Sequence, residues 1–324
     1  ADWCYAWNFA NASQPRLLRL PCGRGPALRD DLARFVEELV PAIGAVFESE
    51  EHRNRIEALQ EEAKTREESA LRSLGDEAQR LGVALLRTPH GFAFLPMKDE
   101  GSTLTQEEFE KLPEPRQHEL GEHIRALHER LHRLMGDFPR WRHELQNRMR
   151  DAGREAIRAT VAHLIDELKA RHADLPEVCA HLDAVLADVV ASGESLRATP
   201  HTDEDSESLT YTGSISVQRY LVNLLVANPA DGARPMVYED HPTLQNLVGR
   251  IDHLVHMGTL VSNFTLIRAG ALHRANGGFL VLDALKLLSQ PFAHKKLKRA
   301  LQPERLRIES LSELIGVPGS VQVE

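Results

Sequence analysis

Residues 270–285, GALHRANGGFLVLDAL, decide how the rest of the chain is read. The pair Gly277-Gly278 opens four apolar residues, Phe279 to Leu282, which run straight into Asp283. Glycines punctuate, and the apolar run has the length of a short strand, so the segment reads as turn, strand, acid. A strand apolar at every position belongs inside a parallel sheet, covered on both faces. Ligands bind beyond the carboxyl ends of such strands. A carboxylate placed there can hold magnesium through water, next to a nucleotide's phosphates. The same letters also describe a buried strand that merely ends in an acid, and the pattern alone does not choose.

The surroundings of this segment are α/β in character. SISVQRYLVNLLVAN (214–228) and MVYED (236–240) read as strands, and HPTLQNLVGRI (241–251) starts a helix. After the decisive strand, ALKLLSQPFAHKKLKRAL (284–301) is amphipathic and RLRIESL (305–311) is strand-like. At the other end, aromatic residues Trp3, Tyr5, Trp7 and Phe9 mark a strand-like start, and PRLLRLPCGRGP (15–26) reads as a short strand and a turn. From Ala27, apolar residues Leu28, Leu32, Phe35, Leu39, Ile43 and Phe47 fall at helical spacing.

Between these two α/β parts the period changes. From Glu48 to Leu81 a narrow apolar seam (Ile56, Leu59, Ala63, Ala70, Leu74, Ala78, Leu81) lies on a charged rod. GVALLRTPHGFAFLPM (82–97) interrupts it with two apolar runs about TPHG, a β-hairpin over about 83–97. Thr105 and Glu108 have the spacing of a capping box. The return rod carries a heptad seam of Leu120, Ile124, Leu127, Leu131, Leu134, Phe138, Trp141 and Leu145. Pro139 falls within it, and Asp137 is placed to cap a restarted helix, so a kink or restart is expected there. A further helix is expected over Leu175–Val190. Residues 193–214 are polar, acidic and aperiodic, the composition of a flexible linker.

The expected organisation is thus residues 1–47 as the N-terminal part of an α/β domain, 48–192 as a helical coiled-coil insertion, 193–214 as the linker, and 215–324 as the C-terminal part with the decisive strand. Heptads report packing and not purpose, so the insertion reads equally as a substrate-handling lever and as a spacer. A purely structural rod is disfavoured, because a rod has no use for the strand at 279–282.

Composition narrows the function classes. A net charge of −9 and a pI near 6.0 argue against a general nucleic-acid binder, which needs a basic face. No apolar run approaches a membrane span, and no signal peptide is visible. Cys4, Cys22 and Cys179 are far apart, as reduced thiols of a cytoplasmic protein would be. His128 and His132 are four apart on a predicted helix, but without an HExxH pattern a solvated helix face is the favoured reading over a metal pair. The unprefaced start at ADWCYAWNF and the strand-like close at VPGSVQVE read as the edges of an excised piece.

GALHRANGGFLVLDA (270–284) closely resembles the second nucleotide motif, Walker B, of the Lon-like AAA+ proteases. HPTLQNLVGRID (241–252) resembles the segment that precedes it in that family. FTLIRAGALHRANGGFLVLDA (264–284), with the N-terminal DWCY and PRLLRLPCGRG segments, is similar to the branch of ATP-dependent Lon-like proteases that carries a long helical insertion. The resemblance runs from Trp3 to about Ile308 and is sharpest over 240–283. It implies a P-loop-type AAA+ α/β fold, Mg-ATP as cofactor, a homo-oligomeric ring (a hexamer), and unfolded proteins as substrates. It makes Asp283 the Walker B aspartate, holding magnesium through water. Asn276, Gly277 and Gly278 form the turn into that strand and His273 and Arg274 sit beside it, while Arg250 and Arg268 are charged candidates for a cofactor or subunit contact. For the two arginines an ordinary salt bridge is the competing reading.

Three departures stand out. Ala284 follows Asp283, where most AAA+ ATPases place the glutamate that orients the attacking water. No GxxxxGK[ST] phosphate loop occurs; LPCGRGPAL (20–28) has glycines but no Lys-Ser/Thr. No GxSxG elbow occurs, and the family's Ser-Lys peptidase domain would lie downstream of Glu324. This stretch alone is therefore expected neither to cut peptides nor to turn over ATP well. The alternative is a degenerate AAA+ scaffold that binds partners without nucleotide.

Overall fold

The computed structural model describes residues 1–89, 91–98, 102–197, 217–256 and 259–301, together with 306 and 308. In chain order the elements begin with β1 (Asp2–Ala6), β2 (Arg16–Leu20), α1 (Arg24–Glu48), α2 (Glu50–Arg80), β3 (Val83–Thr88) and β4 (Gly91–Pro96). Next come α3 (Gln106–Glu110), α4 (Glu114–Arg171), α5 (Pro176–Arg197), β5 (Val222–Val226), β6 (Met236–Glu239), α6 (Leu244–Val248) and β7 (Gly249–Ile251). The last are β8 (Leu254–His256), β9 (Thr259–Val261), β10 (Ile267–Ala269), α7 (Ala271–Arg274), β11 (Phe279–Leu282), α8 (Ala284–Ser289) and α9 (Ala293–Leu301). The fold is helix-rich with small sheets, and it divides into two compact units, residues 1–46 with 154–324, and residues 47–153.

The 47–153 unit is built from α2, the β3–β4 hairpin and the first part of α4. Seam residues Leu74, Ala78, Leu120, Leu127 and Leu131 are buried together with Val83 and Phe94 of the hairpin. Ion pairs Glu62–Arg148, Glu67–Arg142 and Glu77–Arg130 link α2 to α4. Partner numbers fall as residue numbers rise, so the helices run antiparallel. Arg148 binds Glu62 through both Nη groups, at 2.8 and 2.9 Å. These pairs lie at the surface, with Glu67 and Glu77 half-buried, and each adds little; the apolar seam carries the packing. The Glu108 carboxylate accepts from the Thr105 backbone N–H at 3.1 Å and so caps α3.

Pro139 neither stops nor restarts the helix: α4 continues through it to Arg171. Buried Phe138 and half-buried Trp141 hold both sides of that position, so one missing backbone hydrogen bond is tolerated. The helix α5 also extends past its expected end, to Arg197, so the first residues of the expected linker are helical. Residues 198–214 of that linker, and most of the strand expected at 305–311, lie outside the described residues.

In the other unit, β2, β1 and β5 form an antiparallel three-stranded sheet, β7 pairs β10 antiparallel, and β6 pairs β11 parallel. Buried Asp31 on α1 accepts from Arg171 at 2.7 Å, pairs with His172 at 2.9 Å and also binds Arg34. This ties α1 to the end of α4. The decisive strand differs from expectation. Phe279 and Val281 on β11 are 57% and 44% exposed, and Met236 and Tyr238 opposite them on β6 are 75% and 62% exposed. Only the alternate face, with Leu280, Leu282 and Val237, packs against α6, α7, α8 and α9. The strand is apolar on both faces, but among the described residues it has one strand partner and one covered face.

Candidate functional site

The parallel register sets Leu282 opposite Glu239, so the residues just beyond, Asp283 and Asp240, leave the same end of the strand pair. Sequence reading singled out Asp283 and missed Glu239 and Asp240. The signal was present: MVYED repeats the strand-then-acid order of FLVLD. What it lacked was the pairing, which joins residues about forty apart.

These acids are not equivalent. Glu239 pairs with Arg274 at 3.1 Å. Asp240 accepts from Lys286 Nζ at 2.5 Å and from the Tyr238 hydroxyl at 3.2 Å. The Lys286 hydrogen bond holds the Asp240 carboxyl below its ordinary range, and the same bond raises Lys286. Asp283 caps α8: its Oδ1 accepts from Lys286 N at 3.0 Å. Its second oxygen makes no hydrogen bond within the described residues, and the residue is exposed.

The turn that enters β11 is tight. Phe279 N–H donates to Pro235 O at 2.8 Å, and a Cβ on Gly278 would lie 1.9 Å from that oxygen, so only glycine fits. Gly277 has φ +79°, the left-handed region that glycine enters without strain. Asn276 N–H closes the turn on His273 O at 3.1 Å. These three residues precede β11 and Asp283 follows it. A four-residue strand, about 13 Å, separates them. They shape the strand's entry and do not share Asp283's end.

His273 is held in place by its ring: Nδ1 accepts from Gly270 N–H at 3.1 Å. Burial lowers its pKa to about 4, so at neutral pH the ring is uncharged and its proton sits on Nε2. Arg250 and Arg268 lie on a different strand pair, β7 and β10, and both bind Asp252, at 2.8 and 3.0 Å.

A magnesium nucleotide would need a carboxylate for the metal and a cradle for the phosphates. The first is present in Asp283. The second is not supplied by the glycine-rich start of α1, because Gly25 N–H donates to Asp2 Oδ2 at 2.7 Å while Asp2 Oδ1 accepts from Asn228 N at 2.8 Å. Asp2 is fully buried and takes the place an anion would have. Asp283 therefore fits the metal side of such a site, and the start of α1 does not fit the phosphate side.

His128 Nδ1 lies 3.0 Å from Ile124 O, and its ring packs edge-on against Phe94 at 5.0 Å. No group of three or more potential metal-ligating residues is found among the described residues, and no described helix is long and apolar enough to cross a membrane.

Comparison with family models finds a match of the LonB-like AAA domain to residues 232–324, the segment that holds β6, β11 and Asp283. A second model, the Lon-like LonC helical domain, matches residues 2–35, which here form β1, β2 and the start of α1. Both matched models describe domains of Lon-like proteins, and the two matches support a likeness to that family. No curated protein matches it.

Proposed function

We propose that this chain is the ATPase-like, substrate-handling region of a Lon-like ATP-dependent serine protease, which unfolds proteins and feeds them to a peptidase chamber. The observation that carries the reading is the parallel β6–β11 pair, whose carboxyl end presents Asp283 with one oxygen uncommitted, inside the segment that matches the LonB-like AAA domain. AAA domains as a family bind nucleotide with magnesium, and Lon-family proteins form oligomers and handle protein substrates. In this reading Asp283 would hold magnesium, which would offset charge on the phosphate oxygens of a bound ATP, while Lys286 keeps Asp240 charge-paired. The intact protein is a homo-oligomeric ring, a hexamer, in the cytoplasm.

The test is thermal protection of the intact protein by Mg-ATP. Ligand that binds only the folded state raises the melting temperature. The expected result is a rise with Mg-ATP that Asp283→Asn abolishes, since Asn caps a helix as well as Asp does but lacks the charge. Equal protection of both proteins would contradict the role of Asp283.

A second reading, a scaffold that uses no nucleotide, is favoured by two observations: Ala284 removes the usual water-orienting glutamate, and Asp2 fills the helix start that a phosphate would need. Absence of any Mg-ATP protection in the intact protein would support it.

A further inference from the structure

Arg250 and Arg268 stand directly opposite each other on the antiparallel pair β7–β10, and both are exposed. Like charges at directly opposed positions repel and weaken a sheet. Asp252, one residue past β7, offsets this: its Oδ1 accepts from Arg250 Nε at 2.8 Å and its Oδ2 from Arg268 Nε at 3.0 Å. The carboxylate is itself anchored, because Asp252 N–H donates to Leu266 O at 2.9 Å. Partial burial pushes the Asp252 carboxyl up, but the two arginine hydrogen bonds outweigh it and hold it below the usual range. No other acid occurs between Ile251 and Phe264.

The consequence lies in which nitrogens are used. Both arginines donate to Asp252 through Nε, and their Nη groups make no hydrogen bond among the described residues. Two positive charges against one negative leave a surplus of one, in a protein of net charge −9. The guanidinium forks are pre-oriented, sit on strand positions about 5 Å apart, and share one face. A single carboxylate fills one fork. A phosphate group, with three acceptor oxygens and more than one negative charge, can engage both.

We propose that Arg250 and Arg268, clamped on Asp252, form a binding site for a phosphate-bearing anion. The site is separate from Asp283 and stands if the reading of Asp283 fails.

The experiment is calorimetric titration of the full chain at low salt with inorganic pyrophosphate, ATP and acetate, all without magnesium. Saturable binding of pyrophosphate is expected, weakened about ten-fold by Arg250→Gln or Arg268→Gln and several-fold by Arg268→Lys, which keeps the charge but loses the fork. The double change Lys298→Gln with Arg299→Gln on the basic helix α9 leaves it unchanged. Equal binding of pyrophosphate and ATP makes the ligand a free oligophosphate; clearly tighter ATP makes it a nucleotide. The proposal is overturned by no saturable pyrophosphate binding, by wild-type affinity in Arg268→Gln or Arg268→Lys, by acetate binding as tightly as pyrophosphate, or by loss of binding in the α9 variant. Unchanged melting of each variant shows that binding, and not folding, has been altered.

Discussion

Asp2 and Asp283 both sit beside helix starts, yet they do opposite things. Asp2 is fully buried, and each of its oxygens accepts a backbone N–H, one from Gly25 and one from Asn228. Asp283 is exposed, gives one oxygen to the cap of α8 and keeps the other. The first joins β1, α1 and the end of β5 into one body. The second is available to a ligand. A carboxylate whose lone pairs are consumed by the fold serves stability; one left half-committed at the end of a parallel strand keeps an oxygen open to solvent.

The contrast can be broken most easily at Asp2. Asp2→Ala strands two buried backbone donors and removes two charge-assisted bonds, a loss of about 3 kcal/mol or more. The melting temperature of the full chain should fall by roughly 5–10 °C. If it falls by no more than in Asp283→Ala, the two aspartates are not as different as the geometry says.

Acid sharpens the contrast next, because the unit that contains both aspartates also holds two histidines lowered to about 4, buried His181 and half-buried His273. Burial is the main cause in each, with Arg16 adding to it at His181. Unfolded histidine takes its proton near pH 6.5, so the unfolded state binds more protons between 6.5 and 4. Stability contributed by the neutral rings is therefore intact above pH 6.5 and lost as pH falls toward 4. Each residue should cost about 2 kcal/mol between pH 7 and pH 5. Neither ring nitrogen of His181 has a hydrogen-bond partner among the described residues, so His181→Leu should be neutral or stabilising at pH 7 and should flatten the acid limb of a melting-temperature profile. An unflattened limb would mean that His181 is not buried in its neutral form.

Smaller effects follow at Asp283. Asp283→Ala removes the α8 cap and should cost about 1 kcal/mol, while Asp283→Asn should melt within a degree of wild type. Smallest is Glu62→Gln in the helical unit, where loss of an exposed pair with Arg148 should leave the melting temperature essentially unchanged. A large loss there would mean that the ion pairs, and not the apolar seam, hold α2 to α4.

Much of the helical unit was legible because its information is local. Leu120, Leu127 and Leu131 repeat at heptad spacing, and a helix on that period buries them. Pro139 misled because local propensity there yields to packing on both sides. The strand at 279–282 was legible as a strand, but not its neighbours: its exposed face and its pairing with β6 depend on register between distant segments. For the same reason Glu239 and Asp240 went unnoticed, and so did Asp2, whose partners lie 23 and 226 residues away. The arginines 250 and 268 were visible as charges, but the Asp252 clamp required the β7–β10 pairing.

The most direct test of the central claim is degradation of casein by the intact protein with and without Mg-ATP, in wild type and Asp283→Asn. The account predicts that ATP stimulates degradation by wild type and that the variant loses this stimulation while melting like wild type. Degradation that ignores ATP, or a variant that is stimulated as strongly as wild type, would contradict it.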